Sequence, residues 1–385
     1  MVISMRNVKP IYAFATTIYS AAWGVLFSFI TRYIAVELGG GVRAIILFTA
    51  LNWGFTLFGL LAGRIAHIIG EKRVILLGST CSLPVIVAIF VRNPFILSII
   101  ISTTTIPWVF MWSVLVKLFF ARVSENYGQE YSEYTIGMGI GFFIGSTLTG
   151  FIYALGGSST VFITSSILLA IPPIMYYKFY PFNVEFDEEI DPSIKPVVKK
   201  LCGPLLSLAI VVFSRELLYS IAPSKLDVSI DSVLPGLDNW LKYTIYGIIY
   251  SGGALISPFI RVLVGKTVDY FGSIKIYVFT VIGYTTIYWL FVETRGLIPI
   301  LVWQIPLYPF LDISFNVYVA QNLDSRNLVS GFGATHAFTA IGGLMLTPIL
   351  IAQDINLRVA GFMITLLNTI SIILISITKT EKNSI

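Results

Sequence analysis

Apolar runs of about twenty residues return again and again along this chain, and few folds tolerate that. A transmembrane helix needs about 20 consecutive, mainly apolar residues. Twelve stretches qualify, at roughly 10–34, 42–62, 74–91, 95–118, 135–155, 159–179, 201–223, 239–263, 276–293, 297–320, 330–352 and 357–377. Only 12% of the residues are charged and 56% are hydrophobic, whereas soluble domains carry about 25% charge. The expectation is an all-α integral membrane protein that crosses the bilayer many times. The first run is too long for the h-region of a secretory signal, about 7–15 residues, so it reads as the first span.

Lys and Arg orient the spans. With the N-terminus inside, 17 of the 25 fall on inner tails, loops and helix ends, and seven fall outside. The positive-inside bias then puts both termini in the cytoplasm, as an even span number requires. The net charge of +5 is thus a topology signal and implies no nucleic-acid partner. The segment YPFNVEFDEEIDPSIKPVVKK, from Tyr180 to Lys200, is polar and divides the spans six and six. It reads as a cytoplasmic linker at 181–200, between bundles at 1–180 and 201–385.

Two joints resemble each other. GRIAHIIGEKR follows the second span, with Gly63, Arg64, His67 and Gly70. GKTVDYFGSIK follows the eighth, with Gly265, Lys266, Asp269 and Gly272. Both spell G-basic-x-x-(H/D)-x-x-G-x-x-basic at the same place in each group of six. A duplicated six-span unit is the organisation of many secondary transporters.

At these loops the chain resembles the major facilitator superfamily, whose loop between helices 2 and 3 reads roughly G-x-L-A-D-(R/K)-x-G-(R/K)-(R/K), with a weaker copy between helices 8 and 9. The resemblance implies two pseudo-symmetric six-helix bundles, with helices 1, 4, 7 and 10 lining a central cavity. It implies a small solute bound near the midplane, and alternating access. The family's loop Asp is expected to face the start of helix 11. Here His67 replaces it, and a neutral imidazole supplies less negative charge to a helix N-terminus. Asp269 is retained and by analogy faces the start of helix 5 near Thr135, so the inner gate is expected to be latched mainly by the second loop. The family's helix 4 arginine motif and its proline-bearing helix 5 motif are both absent. Gly137, Gly141 and Gly145 recur every fourth residue in the fifth span and read as helix packing.

Charges inside spans are costly and mark function. Arg215 and Glu216 lie near the middle of the seventh span and Asp312 lies in the tenth. Adjacent residues point about 100° apart on a helix, so Arg215 and Glu216 are each expected to need a separate partner. Glu216 or Asp312 would carry a coupled proton. Arg215 would bind an anionic group or set a carboxylate's pKa. It could instead form a structural pair with Asp312, and Glu216 could meet water at the outer end. His336 in the eleventh span suits proton exchange or a bond to a helix carbonyl. Asn52, Trp53, Gln304 and Asn316 are lesser polar positions.

These residues fit secondary active transport of a small organic solute, coupled to protons or another ion. An efflux pump for amphipathic compounds and a facilitative uniporter remain open. The chain has no nucleotide-binding G-x-x-x-x-G-K-(S/T) loop. His67 and His336 are far apart, and Cys81 and Cys202 have no C-x-x-C partner. No cofactor, metal site or catalytic cluster is therefore expected, nor an enzyme or sensor. The expectation is a monomeric, multi-pass protein of the cell membrane.

Overall fold

A computed structural model of the chain describes residues 5–120, 125–180, 191, 193–236, 239–348 and 356–377. Most of the expected linker, at 181–190 and 192, and the extreme termini lie outside the described residues. Every regular element among the described residues is helical, as a bilayer demands of a chain that must satisfy its own backbone.

In the first half of the chain the helices are α1 (Met5–Arg32), α2 (Gly41–Thr56), α3 (Ala62–Ile69), α4 (Glu71–Leu77), α5 (Ser82–Ala88), α6 (Pro94–Ser102), α7 (Thr105–Phe120), α8 (Tyr127–Thr135) and α9 (Gly137–Lys178). In the second half they are α10 (Lys195–Val233), α11 (Asn239–Phe271), α12 (Ser273–Glu293), α13 (Leu297–Trp303), α14 (Tyr308–Asn322), α15 (Leu328–Leu344) and α16 (Leu357–Ile377). Nine helical stretches among the described residues are long and apolar enough to cross a membrane. The other three expected spans have local explanations. The third is interrupted by a 3-10 turn at Gly78–Cys81. The sixth is fused to the fifth across Gly156 and Gly157, whose backbone leaves the helical region. In the eleventh, α15 ends at Leu344 after 17 residues, at a turn.

The sequence repeat has a geometric counterpart. Gly70 ends α3 and opens α4 with φ 83 and ψ 142. Gly272 ends α11 and opens α12 with φ 91 and ψ 144. Both joints need the positive φ that glycine adopts without strain. A second correspondence is a break inside the fourth and tenth spans. Thr103 and Thr104 separate α6 from α7, and Gln304 to Leu307 separate α13 from α14. Asn93 starts α6 by accepting from the N–H groups of Phe95 (3.0 Å) and Ile96 (3.1 Å), with Pro94 in the first turn.

The Gly137, Gly141 and Gly145 stripe of α9 lies against α1. A Cβ on Gly141 would sit 2.0 Å from the Thr17 carbonyl, and one on Gly145 would sit 2.1 Å from that of Ala21. The packing reading of these glycines holds.

Candidate functional site

The two repeated loops lie at one end of the molecule, where the halves of the chain meet along two seams. On the first seam α3 packs against α15. Gly63 is buried there, and a Cβ on it would fall 1.9 Å from Ser330 Oγ. Arg64 and His67 point to the exposed side. On the second seam α11 packs against α8. A Cβ on Gly265 would fall 2.5 Å from the Gly128 carbonyl, and Lys266 is exposed. Asp269 Oδ1 accepts from Gly128 N (2.6 Å) and its Oδ2 from Gln129 N (2.8 Å). This caps the otherwise unpaired N–H groups of α8 with negative charge. Asp269 therefore does meet the start of the fifth span. That start lies at Tyr127 and not near Thr135, because the polar turn YGQEYSEYT is helical and extends the span inward.

Thr135 instead belongs to a buried network on the same seam. Arg261 of α11 is 1% exposed and forms an ion pair with Asp312 of α14. Its Nε donates to Thr135 Oγ1 at 2.7 Å, and its guanidinium lies 5.9 Å from the Tyr131 ring. The Tyr131 hydroxyl donates to Asp312 Oδ1 at 3.2 Å. Asn316 Nδ2 donates to Asp312 Oδ1 (2.8 Å) and to the Tyr131 hydroxyl (3.2 Å). One carboxylate thus holds a cation from its own half of the chain and a phenol from the other half.

The pairing differs from two sequence expectations. Asp312 does not pair with Arg215. Nor do Arg215 and Glu216 face separate partners: Arg215 Nε (3.0 Å) and Nη2 (2.7 Å) both donate to Glu216 Oε1. The 100° offset describes where the two Cβ atoms point, and a long arginine stem can curl back over it. The Arg215 guanidinium lies 5.8 Å from the rings of both Tyr219 and Tyr308. Tyr308 sits one turn before Asp312 on α14, so it stands between the two ion pairs. Each pair is formally neutral, which lowers the cost of burial.

The remaining expected positions have partners of their own. His336 meets Trp108 of α7 edge to face, with centroids 5.2 Å apart, a contact between the two halves. Asn52 accepts from the Thr105 hydroxyl within the first half. Gln304 donates to the carbonyls of Ile249 (2.9 Å) and Ile300 (3.3 Å). A separate ion pair is confined to the first half. Lys117, fully buried, meets Glu71 at 2.5 Å, and the Tyr180 hydroxyl donates to the other Glu71 oxygen at 3.2 Å. Burial first, and the Glu71 charge second, push the Tyr180 hydroxyl up and keep it a donor. No group of three or more metal-ligating side chains gathers among the described residues.

Sequence reasoning missed Arg261, Tyr131 and the Lys117–Glu71 pair. Arg261 lies four residues before Gly265 and reads as an inner helix end. Position-matching of the repeat was the available signal, since Gly59 stands four residues before Gly63. A buried Arg opposite a Gly in an otherwise matched repeat marks a feature of one half alone.

A helical membrane protein with a duplicated loop and paired intramembrane charges is the class these observations define. The family model of the Major Facilitator Superfamily matches residues 12–347, and the chain belongs to that superfamily. Among solved structures it is similar to the human organic anion transporter MFSD10 (TETRAN), with a TM-score of 0.71, 14% identity, and 96% of this chain and 99% of that chain covered. It is also similar to the fucose:proton symporter FucP of E. coli, with a TM-score of 0.71, 12% identity, and 96% and 98% covered. The nucleoside transporter NupG gives a TM-score of 0.64 at 14% identity, with 98% and 100% covered. At these identities the likeness is one of fold. A search of curated protein sequences returns no match.

Proposed function

We propose that the protein is a secondary active transporter that moves a small organic solute by alternating access, driven by protons. The observation that carries this reading is the presence of two ion pairs within the apolar spans, Arg215–Glu216 and Arg261–Asp312. An ion pair buried in the membrane is a poor way to gain stability and a common way to bind ions or solute. In this reading the solute sits between 1–180 and 201–385, which rock about the linker at 181–200. Arg215 and Glu216 contact the solute, with Tyr219 and Tyr308 as its aromatic neighbours. Asp312 takes the proton. His336, Asn52 and Asn316 are secondary polar contacts. The solutes named for the similar structures are an organic anion, fucose and nucleosides, all small organic molecules. The protein would work as a monomer in the cell membrane with both termini cytoplasmic.

The test is transport in liposomes. A panel of radiolabelled sugars, nucleosides and organic anions is offered with and without an imposed pH gradient. Asp312→Asn should abolish accumulation while sparing solute exchange, and Glu216→Gln should weaken solute binding. Arg215→Leu should lose binding. Full gradient-driven accumulation by both carboxylate variants would refute proton coupling through these spans and leave a uniporter or another coupling ion.

A further inference from the structure

The buried positive charges of this chain are all engaged. Among the described residues three basic side chains are buried: Lys117, Arg215 and Arg261. They meet Glu71, Glu216 and Asp312 in turn. None of them is a surplus cation that could receive an anionic solute without giving up its carboxylate.

The three pairs differ in what they leave over. Asp312 has both oxygens engaged, one by Arg261 and the other by Tyr131 and Asn316. Glu71 likewise has one oxygen on Lys117 and the other on the Tyr180 hydroxyl. In the remaining pair, Arg215 Nε and Nη2 both donate to a single oxygen, Glu216 Oε1. Arg215 Nη1 and Glu216 Oε2 make no hydrogen bond to another described residue. One charged donor and one charged acceptor therefore stand unused beside each other.

This pair is also within reach of a solute. The Glu216 side chain is 17% exposed. Tyr308, whose ring lies 5.8 Å from the guanidinium, is 39% exposed. Tyr219 flanks the guanidinium at the same distance and is braced edge to face by Trp303, 5.5 Å away. The buried hydroxyl of Tyr284, beside Tyr219, makes no hydrogen bond of good geometry among the described residues.

We propose that this cluster selects a neutral ring compound bearing adjacent hydroxyl groups, and rejects the same ring carrying a carboxylate. This deepens the transport reading above and rests on it. Of two neighbouring hydroxyls, one accepts from Arg215 Nη1 and the other donates to Glu216 Oε2, because every hydroxyl is both donor and acceptor. Each of these bonds involves a charged protein group and so belongs to the stronger kind. The apolar face of the ring rests on Tyr308. Aromatic walls with a few placed polar groups are how small-solute sites fix orientation. A carboxylate in the same seat leaves two negative groups competing for one guanidinium, and such like-charge juxtaposition excludes the wrong ligand. Glu216 is thus the specificity-determining residue, since it withholds Arg215 from anions.

Equilibrium binding to the protein in nanodiscs tests this with matched radiolabelled pairs: glucose against glucuronate, galactose against galacturonate, and uridine against orotidine. In at least one pair the neutral member should bind the unmodified protein about tenfold or more tighter than its carboxylate partner. Glu216→Gln keeps the shape of the side chain and frees Arg215, so the preference should invert. The neutral member should weaken and the carboxylate should gain about tenfold or more. A merely structural role for Glu216 would weaken both alike. Equal or tighter binding of the carboxylates by the unmodified protein would overturn the proposal. Binding of neither series would do the same, as would a folded Glu216→Gln protein that keeps the neutral preference. If Glu216→Gln fails to fold, the ratio in the unmodified protein decides the matter. Selective binding of the neutral series with no movement of any member across liposomes would instead strike at the transport reading and leave this assignment standing.

Discussion

Asp269, in the second half of the chain, accepts the backbone N–H of Gly128, in the first half, at 2.6 Å, and takes Gln129 N at 2.8 Å with its other oxygen. Replacing it with asparagine keeps the shape and removes the charge. The loss at a helix N-terminus is about 1 kcal/mol, or roughly a fivefold shift toward an open loop end. The distance between spin labels at exposed positions 125 and 270 measures it, and an unchanged distribution would show that the cap is incidental to closure.

His67 stands where the repeat puts Asp269, yet its side chain is exposed. His67→Asp should add negative charge on the α3/α15 side, near the start of α15, and favour closure. The distance between spin labels at exposed positions 68 and 324 should narrow toward its shorter population. Broadening of that distance would mean the aspartate finds no helix end to face.

The two motif glycines should not respond alike to alanine. A methyl on Gly63 meets the Ser330 hydroxyl, which can rotate away, whereas one on Gly265 meets the Gly128 backbone carbonyl. Backbone cannot yield without moving a helix. Gly265→Ala should therefore open its seam more than Gly63→Ala opens the other. Equal effects on the two distance pairs would contradict the contact geometry.

Lys117→Met should be strongly destabilising, by about 3–5 kcal/mol, because it leaves Glu71 charged and largely buried. Adding Glu71→Gln should restore part of the loss. Thermal unfolding in detergent compares the three proteins, and no recovery in the double variant would argue that Lys117 acts by packing alone.

Topology can be read from one helix. Lys195 and Ser232 lie near opposite ends of α10 and are exposed. A cysteine at 195 should react with a membrane-impermeant reagent only from the cytoplasmic side, and one at 232 only from outside. Reaction of both from one side would reverse the positive-inside assignment or the span count.

Much of the architecture was written in the sequence because the bilayer permits so few solutions. Twenty apolar residues with no alternative partner for the backbone must be helical, and a repeat with glycine at a positive φ must turn in the same way twice. The site was less legible. Arg215, Glu216 and Asp312 stand out as charges in apolar runs, but partners are set by side-chain reach across helices, which spacing along one helix does not encode. Arg261 was hidden by its neighbours, since a basic residue close to a basic loop looks like an interfacial anchor. Tyr131 was hidden by polarity, because its stretch is too hydrophilic to count toward a span even though it continues one as helix.

The gap between α13 and α14 changes how force travels through the tenth span. An unbroken helix over Leu297–Asn322, 26 residues, would be a lever roughly 40 Å long, and tilting one end would swing the other. Here Pro306 and Pro309 interrupt it, and the short upper rod is tied to α11 by Gln304 on Ile249 and by Trp303 on Tyr250 (3.1 Å). The lower rod carries Asp312. The span is thus a knuckle of two short rods, each moored to α11 by its own contacts, the second through Asp312 on Arg261. The matching gap at Thr103 and Thr104 puts a second knuckle in the fourth span.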